Sequence, residues 1–194
     1  MSQYEVPDWK LRVAYNGIDC SRFNGRIDPV PCRQEYDVGP RDPIVLFMGR
    51  LSTQKGPDRL LDAVPGILQQ HPDAKVVLVG DGDMRPYLDH RANEAGISHA
   101  VRFLGALPPN GRIVNLCKSA DVVCLPSRNE PFGIVVLEAW AAGRPVIAGP
   151  LAFRDELRNE LTHAPVAPLE DGGVVVVSDV RVAHHILQVA DDQA

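Results

Sequence analysis

The chain has 194 residues, with 25 acidic and 20 basic side chains and a formal net charge of −5. Its length predicts one domain, and 45% hydrophobic with 23% charged residues is typical of a globular protein rather than a disordered one. Because nucleic acids and anionic membranes attract basic surfaces, the acidic balance argues against both as general partners. No run of 18 apolar residues and no signal-peptide pattern occurs, so we expect a cytoplasmic protein without a transmembrane segment.

The cysteines and histidines, which could bind a metal or form disulfides, are scattered along the chain. The four cysteines, at positions 20, 32, 117 and 124, form no CxxC pair, and the six histidines are not spaced with cysteines or carboxylates as metal ligands are. We therefore expect reduced, structural cysteines and no metal site.

Short apolar runs, each followed by turn residues, predict the strands. The runs are continuous rather than alternating, which suits strands that are covered on both faces. Helix-like segments fill the intervals, and a βαβα order without hairpin signals predicts an α/β fold with a doubly wound parallel sheet of about six strands, Rossmann-like in type. The predicted strands are Ile44–Met48, Val76–Val79, Val101–Leu104, Val122–Leu125, Val146–Ala148 and Val174–Val177.

The segments that follow these runs predict helices, and the first of them opens with Pro57 at a first-turn position. In the first of them, Pro65-Gly66 lies inside the helical pattern and is expected to kink or split it, because proline removes one backbone hydrogen bond. The predicted helices are Pro57–His71, Met84–Glu94, Pro109–Lys118, Phe132–Ala142, Ala152–Glu160 and Val180–Ala190.

Residues 1–42 differ from the rest, and six of the 17 prolines lie in the first 57 residues. The run Leu11–Tyr15 predicts one strand with a turn at Asn16-Gly17, and Asp28–Asp42 is expected to be a loop. We therefore divide the chain into a lead-in segment, residues 1–42, and a Rossmann-like domain, residues 43–194.

The loop after the first strand contains two cations close to a helix start. In open parallel sheets ligands bind beyond the carboxyl ends of the strands, where this loop lies. Arg50 and Lys55 flank small and polar residues just before Pro57. A guanidinium, an ammonium and helix N-terminal amides together favour an anion, while a solvated surface loop is the alternative.

The loop after the second strand, residues 79–83, does not predict a nucleotide cofactor. It lacks the third glycine of a dinucleotide fingerprint, and its two aspartates would repel phosphate. Gly80 is expected to serve a tight turn and Asp83 to cap the next helix.

The segment after the fourth strand contains the most informative charges. From 131 to 143 Glu138 is the only charged residue, in a helix that is apolar on every face and therefore expected to be buried. Such a carboxylate needs hydrogen-bond donors, which ribose hydroxyls or a structural partner could supply. Glu130 can either reach a ligand or stabilise the helix dipole as a surface charge. A second anion cradle is expected from the amides of Phe132, Gly133, Ile134 and Val135.

Taken in order, the motifs resemble those of the retaining glycosyltransferases of family 4, which have the two-lobed GT-B fold. The resemblance covers about residues 13–190 and depends on the ordered set rather than on any one motif. The matching motifs are Tyr15-Asn16-Gly17-Ile18-Asp19 with Phe23, Gly49-Arg50-Leu51 with Lys55-Gly56, Val79-Gly80-Asp81-Gly82, Val101-Arg102-Phe103-Leu104-Gly105, Ser119-Ala120-Asp121, Glu130-Pro131-Phe132-Gly133 ending at Glu138-Ala139, and Gly143-Arg144-Pro145-Val146.

The resemblance implies a C-terminal donor-binding lobe for a UDP- or GDP-linked sugar, in a metal-independent hexosyltransferase without a cofactor. Arg50 and Lys55 would hold the diphosphate and Glu130 a sugar hydroxyl, which makes these three the implied catalytic residues. Glu138 would accept the ribose hydroxyls, and residues 105–107 would lie against the base. The implied donor-binding residues are Gly49, Leu107, Phe132, Gly133, Ile134, Val135 and Glu138.

Two departures from the family pattern bear on function. Residues 149–156 replace the usual Gly-Gly and Pro-Glu near the sugar. The N-terminal acceptor lobe of such enzymes is missing, so we expect a shortened chain or one subunit of a split enzyme, inactive without its partner lobe. Any peripheral membrane contact is expected through that lobe. The alternative is a nucleotide or nucleotide-sugar binding module without transfer activity.

Overall fold

The computed structural model describes residue 7 and residues 18–108, 111–130, 133–149, 166–168 and 174–176. A short 3₁₀ helix, Cys20–Phe23, precedes the α-helices and strands. The α-helices of the described part are α1 (Pro29–Glu35), α2 (Pro57–Gln70), α3 (Arg85–Glu94), α4 (Gly111–Ser119) and α5 (Ile134–Ala141). Its strands are β1 (Ile44–Met48), β2 (Lys75–Val79), β3 (Val101–Gly105), β4 (Val122–Leu125), β5 (Val146–Ala148), β6 (Val166–Pro168) and β7 (Val174–Val176).

The strands form one sheet in the order β3-β2-β1-β4-β5-β7-β6. The first five in that order are parallel, which confirms the predicted α/β fold. The run Val174–Val177 does form a strand, but the expectation that it would be parallel was wrong: β7 pairs antiparallel with β5. Strand β6, which the pattern did not predict, pairs antiparallel with β7 and extends the sheet at that side.

Helices cover both faces of the sheet, and each of the strands β1 to β5 contributes side chains to both layers. In β1, Leu46 belongs to a hydrophobic cluster that includes residues of α1, α4 and α5. Its neighbour Phe47 belongs to a second cluster with residues of α2 and α3. The alternation follows from the two-residue period of a strand. It explains why the strand sequences are continuously apolar.

Four of the predicted helices are confirmed to within about two residues at each end. Helix α2 is not split, because Pro65 lies inside a single helix. The missing hydrogen bond is offset by burial of Leu61, Val64 and Ile67 on the inner face of the helix. The predicted helices Ala152–Glu160 and Val180–Ala190 lie outside the described residues.

The expectation of a loop over Asp28–Asp42 was wrong for the part that forms α1. Asp28 caps this helix by accepting a hydrogen bond from the Val30 amide at 3.0 Å, and Pro29 occupies the first helical turn. Cys32 is buried in the cluster on that face of the sheet. The predicted strand Leu11–Tyr15 and its Asn16-Gly17 turn lie outside the described residues.

A buried arginine attaches α1 to the sheet. The guanidinium of Arg33 donates to the carbonyl oxygens of Asp42 at 2.6 Å and Ser119 at 2.9 Å, and it lies 3.5 Å from the Asp121 carboxylate. Asp121 also accepts a hydrogen bond from the Ile44 amide at 2.7 Å. The Ser119-Ala120-Asp121 motif therefore has a structural role at the amino ends of β1 and β4.

Candidate functional site

The chain order of the strands reverses between β1 and β4. Strands β2 and β3 follow on one side of β1, whereas β5 follows on the other side of β4. In open α/β sheets this switch point opens a crevice beyond the carboxyl ends of the two strands. The loops that follow β1 and β4 carry Lys55 and Glu130, so both residues belong to this crevice.

Lys55 and Glu130 are in direct contact. The Lys55 ammonium lies 2.5 Å from Glu130 Oε2, and the Glu130 side chain is only 12% exposed. Ser127, which is buried, donates a weaker hydrogen bond of 3.3 Å to the same oxygen. The Gly133 amide donates to Glu130 Oε1 at 3.1 Å. Three donors from two loops thus hold one carboxylate.

Arg50 lies at the same end of the sheet but reaches into solvent. Its side chain is exposed and makes no hydrogen bond or ion pair within the described residues, while its carbonyl accepts from the Ser52 amide at 2.9 Å. The preceding Gly49 donates to the Val79 carbonyl at 2.9 Å. The structure therefore pairs Lys55 with Glu130 and leaves the Arg50 guanidinium available at the carboxyl end of β1.

Close backbone packing connects the β1 loop to the β2 loop. A Cβ atom on Gly80 would lie 1.8 Å from the Gly49 carbonyl oxygen, so no larger residue fits there. The expected role of Asp83 as a helix cap was wrong, since the residue before α3 is Met84. The Met84 amide donates instead to the Leu51 carbonyl at 3.0 Å, which satisfies a helix-end donor from the neighbouring loop.

The start of α5 is where the anion cradle is expected, and one of its amides already has a partner. Gly133 precedes the helix with φ of 75°, and its amide is already bonded to Glu130. Ile134 is 45% exposed and Val135 is half-buried, so the expectation that the helix is wholly buried was wrong. Val136 and Ala139 form its buried face. Phe132 lies outside the described residues.

Glu138 lies on α5, five residues after Gly133. Burial raises the pKa of its carboxyl group, and the positive charge of Arg22 opposes that shift. Within the described part of the chain, no hydrogen bond or ion pair joins Glu138 to Arg50, Lys55 or Glu130. Both interpretations of Glu138, a ribose ligand and a structural acid, therefore stay predictions.

Leu107 follows β3 and is half-buried against the cluster that includes α4 and α5. Gly105, at the end of β3, accepts a hydrogen bond from the Gly80 amide at 2.8 Å. The three loops after β1, β2 and β3 are thus linked in sequence by backbone contacts. Leu107 therefore lies at this edge of the sheet, and its contact with a base stays a prediction.

Ser127, a partner of Glu130, was not among the predicted site residues. The signal was present, because Ser127 is three residues before Glu130 in a loop that follows a buried strand.

Among the residues described, no three His, Cys, Asp or Glu side chains come together as a metal site. None of the described helices is long and apolar enough to cross a membrane.

The sequence matches known glycosyltransferases. The family model of the glycosyl transferases group 1 matches residues 32–160, more than half of the chain. An uncharacterized glycosyltransferase of Methanocaldococcus jannaschii is 44% identical over 172 residues, which cover 86% of this chain and 43% of that protein. The D-inositol 3-phosphate glycosyltransferase of Corynebacterium jeikeium is 38% identical over 75% of this chain and 36% of its own length. The chain thus spans less than half of the length of these relatives.

The fold matches solved structures as well. Anabaena HepE, solved in complex with UDP and glucose, superposes with a TM-score of 0.68 and 28% identity, over 94% of this chain and 48% of that one. The C-terminal domain of LpcC, a glycosyl transferase group 1 protein from Francisella tularensis, shows the same fold with a TM-score of 0.66 and 22% identity, over 91% and 87% of the two chains. The fold is that of the C-terminal, Rossmann-like lobe of GT-B enzymes. Family model, relatives and fold agree, and the chain belongs to the group 1 glycosyltransferase family.

Proposed function

We propose that this chain binds a UDP- or GDP-linked sugar and forms the donor half of a retaining, family 4 hexosyltransferase. The observation that carries the proposal is the contact between Lys55 and Glu130 at the switch point of the sheet. This crevice is where α/β proteins of this type bind their ligands. The HepE structures that hold UDP or UDP-glucose support a nucleotide sugar as the class of ligand.

The chemistry of donor cleavage suits the two cations. When the bond between the sugar and the diphosphate breaks, negative charge develops on the leaving phosphate. Arg50, exposed at the end of β1, and Lys55 would stabilise that charge from fixed positions. Because two side chains supply positive charge at the leaving group, we propose that the site works without a metal ion.

Glu130 would hold the sugar. Its carboxylate offers about four acceptor sites, of which Lys55 and Ser127 occupy two on Oε2 and Gly133 occupies one on Oε1, so Oε1 can accept one further hydrogen bond. A Lys55 ammonium has three donors, so it can bond Glu130 and a phosphate oxygen at once. The pair would thus join the sugar and phosphate ends of the donor. We assign Glu138 to the ribose and Leu107 to the base on the same proposal.

Transfer itself would need an acceptor-binding lobe in addition to this one. In GT-B enzymes the cleft lies between two lobes, and the described residues form one wall. We therefore expect this lobe by itself to bind the donor, and transfer of the sugar to need both lobes. The alternative is a binding module without any transferase role. Such a module would bind the donor with the same affinity, but it would gain no transferase activity when the acceptor lobe of a family member is added.

Calorimetry with UDP and GDP tests the donor site. Arg50→Ala and Lys55→Ala should each weaken binding of the preferred diphosphate by about tenfold, which corresponds to about 1.4 kcal/mol. Arg41→Ala is the matched control, because Arg41 is an exposed arginine before β1, at the opposite end of the strand. Unchanged affinity in both site variants would remove the diphosphate assignment.

A further inference from the structure

A bidentate ion pair joins the loop that carries Glu130 to the first turn of α2. Arg128 Nη1 donates to Asp58 Oδ1 at 2.8 Å, and Nη2 donates to Oδ2 at 2.6 Å. The same guanidinium donates to the Thr53 carbonyl at 3.0 Å. The Asp58 side chain is 17% exposed and that of Arg128 34%. Such fork-shaped pairs fix orientation as well as distance.

Backbone contacts reinforce this connection on both sides. The Arg128 amide donates to the Gln54 carbonyl at 2.8 Å, and Gln54 Nε2 donates to the Asn129 carbonyl at 3.1 Å. The two loops also approach closely at Gly56, where a Cβ atom would lie 2.3 Å from the Pro126 carbonyl oxygen. The loop after β1 and the loop after β4 therefore behave as one packed unit.

We propose that Arg128 and Asp58 are positioning residues that set the distance between Lys55 and Glu130 for a bound nucleotide sugar. Lys55 lies between Gln54 and Gly56, and Glu130 is two residues after Arg128. The ion pair thus connects the loop that carries Glu130 to the helix that begins just after the loop that carries Lys55. The inference rests on the proposed function, because it gives the pair a role in holding that ligand.

The strength of the pair is consistent with a fixed geometry. The hydrogen bonds from Arg128 lower the pKa of the Asp58 carboxyl group, against the opposing effect of burial. The pair therefore stays ionised at neutral pH. Since a diphosphate and a sugar must meet Lys55 and Glu130 together, a shift of one loop relative to the other should affect the whole donor more than its nucleoside monophosphate part.

A second arginine–aspartate pair provides a matched control. Arg91 Nε donates to Asp62 Oδ1 at 2.8 Å and joins α3 to α2 beside a groove of about 390 Å³. Asp62 lies in α2, as Asp58 does, but the pair bridges the two helices rather than the loops after β1 and β4. Conservative changes at Arg91 and Asp62 therefore remove an arginine–aspartate pair from α2 without breaking a hydrogen bond to those loops, and Arg91→Lys also keeps the Asp62 charge that acts on Arg128.

The test compares the affinities of the full chain for UDP-glucose, UDP and UMP, and for GDP-mannose, GDP and GMP. Arg128→Lys and Asp58→Asn should weaken binding of the complete donor by about tenfold and leave the monophosphate within about twofold. Arg91→Lys and Asp62→Asn should leave the ratio of these two affinities unchanged. Thermal unfolding of all four variants shows whether each is folded. If Arg128→Lys does not fold, the affinities of Asp58→Asn alone test the inference.

Two outcomes would overturn the inference and differ from each other. If the wild-type chain binds a donor, but Arg128→Lys and Asp58→Asn change the ratio no more than the control variants do, the pair is structural only and the proposed function stands. If the wild-type chain binds none of the six compounds, the proposed function fails and this inference fails with it.

Discussion

Lys55 Nζ lies 2.5 Å from Glu130 Oε2, although 75 residues separate the two in the chain. The contact brings a cation from the loop after β1 to a carboxylate from the loop after β4. It also means that the carboxylate reduces the positive charge that a diphosphate would meet at Lys55. We therefore expect Glu130 to weaken binding of the diphosphate, through its contact with Lys55, and to strengthen binding of the sugar.

Glu130→Gln should separate those effects. Removing the negative charge leaves Lys55 more attractive to phosphate, so affinity for UDP or GDP should rise a few-fold, whereas affinity for the sugar-linked donor should fall relative to it. Calorimetry with both ligands measures the two changes. Glu94→Gln, an exposed carboxylate at the end of α3, controls for the change in net charge. A loss of affinity that is equal for the diphosphate and the donor would contradict the assignment of Glu130 to the sugar.

Gly80→Ala should destabilise the domain by about 3 kcal/mol or more. The new methyl group would meet the Gly49 carbonyl at 1.8 Å, and the backbone φ of +134° is itself unfavourable for alanine. Gly96→Ala is the matched control, because Gly96 also has a positive φ of +69° but faces open space. Urea unfolding measures both. Similar losses in the two variants would mean that backbone strain, rather than the close approach to Gly49, sets the cost.

Sequence patterns predicted the five parallel strands β1 to β5 and the loops that carry Lys55 and Glu130, because both depend on short-range signals. Continuous apolar runs mark buried parallel strands, and charges just after such runs lie at one edge of the sheet. The N-cap signal of α1, Asp28 before Pro29, was present but hidden in a proline-rich stretch. Proline is unfavourable in the interior of a helix but favourable in its first turn, so this stretch could still form a helix.

Other features had no local signal. Asp58 and Arg128 are 70 residues apart, and nothing in either neighbourhood indicates the other. Asp83 had the composition of a helix cap, yet the Leu51 carbonyl from a different loop bonds the Met84 amide instead. A residue from another loop thus accepts the hydrogen bond that the sequence alone assigns to the nearest polar side chain. The antiparallel pairing of β7 with β5 likewise had no signal in the apolar run that forms β7.

The cysteines should differ in reactivity. Burial raises the pKa of the Cys117 and Cys124 thiols to about 12, and it also raises that of Cys32, while Cys20 is exposed. Because the thiolate is the reactive form, iodoacetamide at pH 8 should modify Cys20 first and the buried three only after unfolding. Mass spectrometry of peptides at successive times measures this order. Modification of Cys117 in the folded chain at the rate of Cys20 would contradict the packing of α4.

Glu138→Gln should weaken binding of ribonucleotides more than that of their 2′-deoxy analogues. A carboxylate that accepts the ribose hydroxyls loses part of that interaction when it becomes an amide, and a 2′-deoxy ligand has less to lose. Calorimetry with UDP and 2′-deoxy-UDP, or the guanosine pair, gives the comparison within one variant. Equal losses for both sugars would favour the structural interpretation of Glu138.

The pH dependence of stability tests the environment of Glu138 without any ligand. Burial raises its pKa above the ordinary value of 4.5, so the folded chain holds this proton more tightly than the unfolded chain does. As pH rises through the window between 4.5 and the raised pKa, wild-type stability contributed by this group should therefore fall. Glu138→Gln has no such proton, so its stability relative to wild type should increase across the same window. Urea unfolding at a series of pH values measures the difference, with Glu94→Gln as the exposed control. A difference that stays constant with pH would show that the Glu138 carboxylate is as well stabilised in the folded domain as in water.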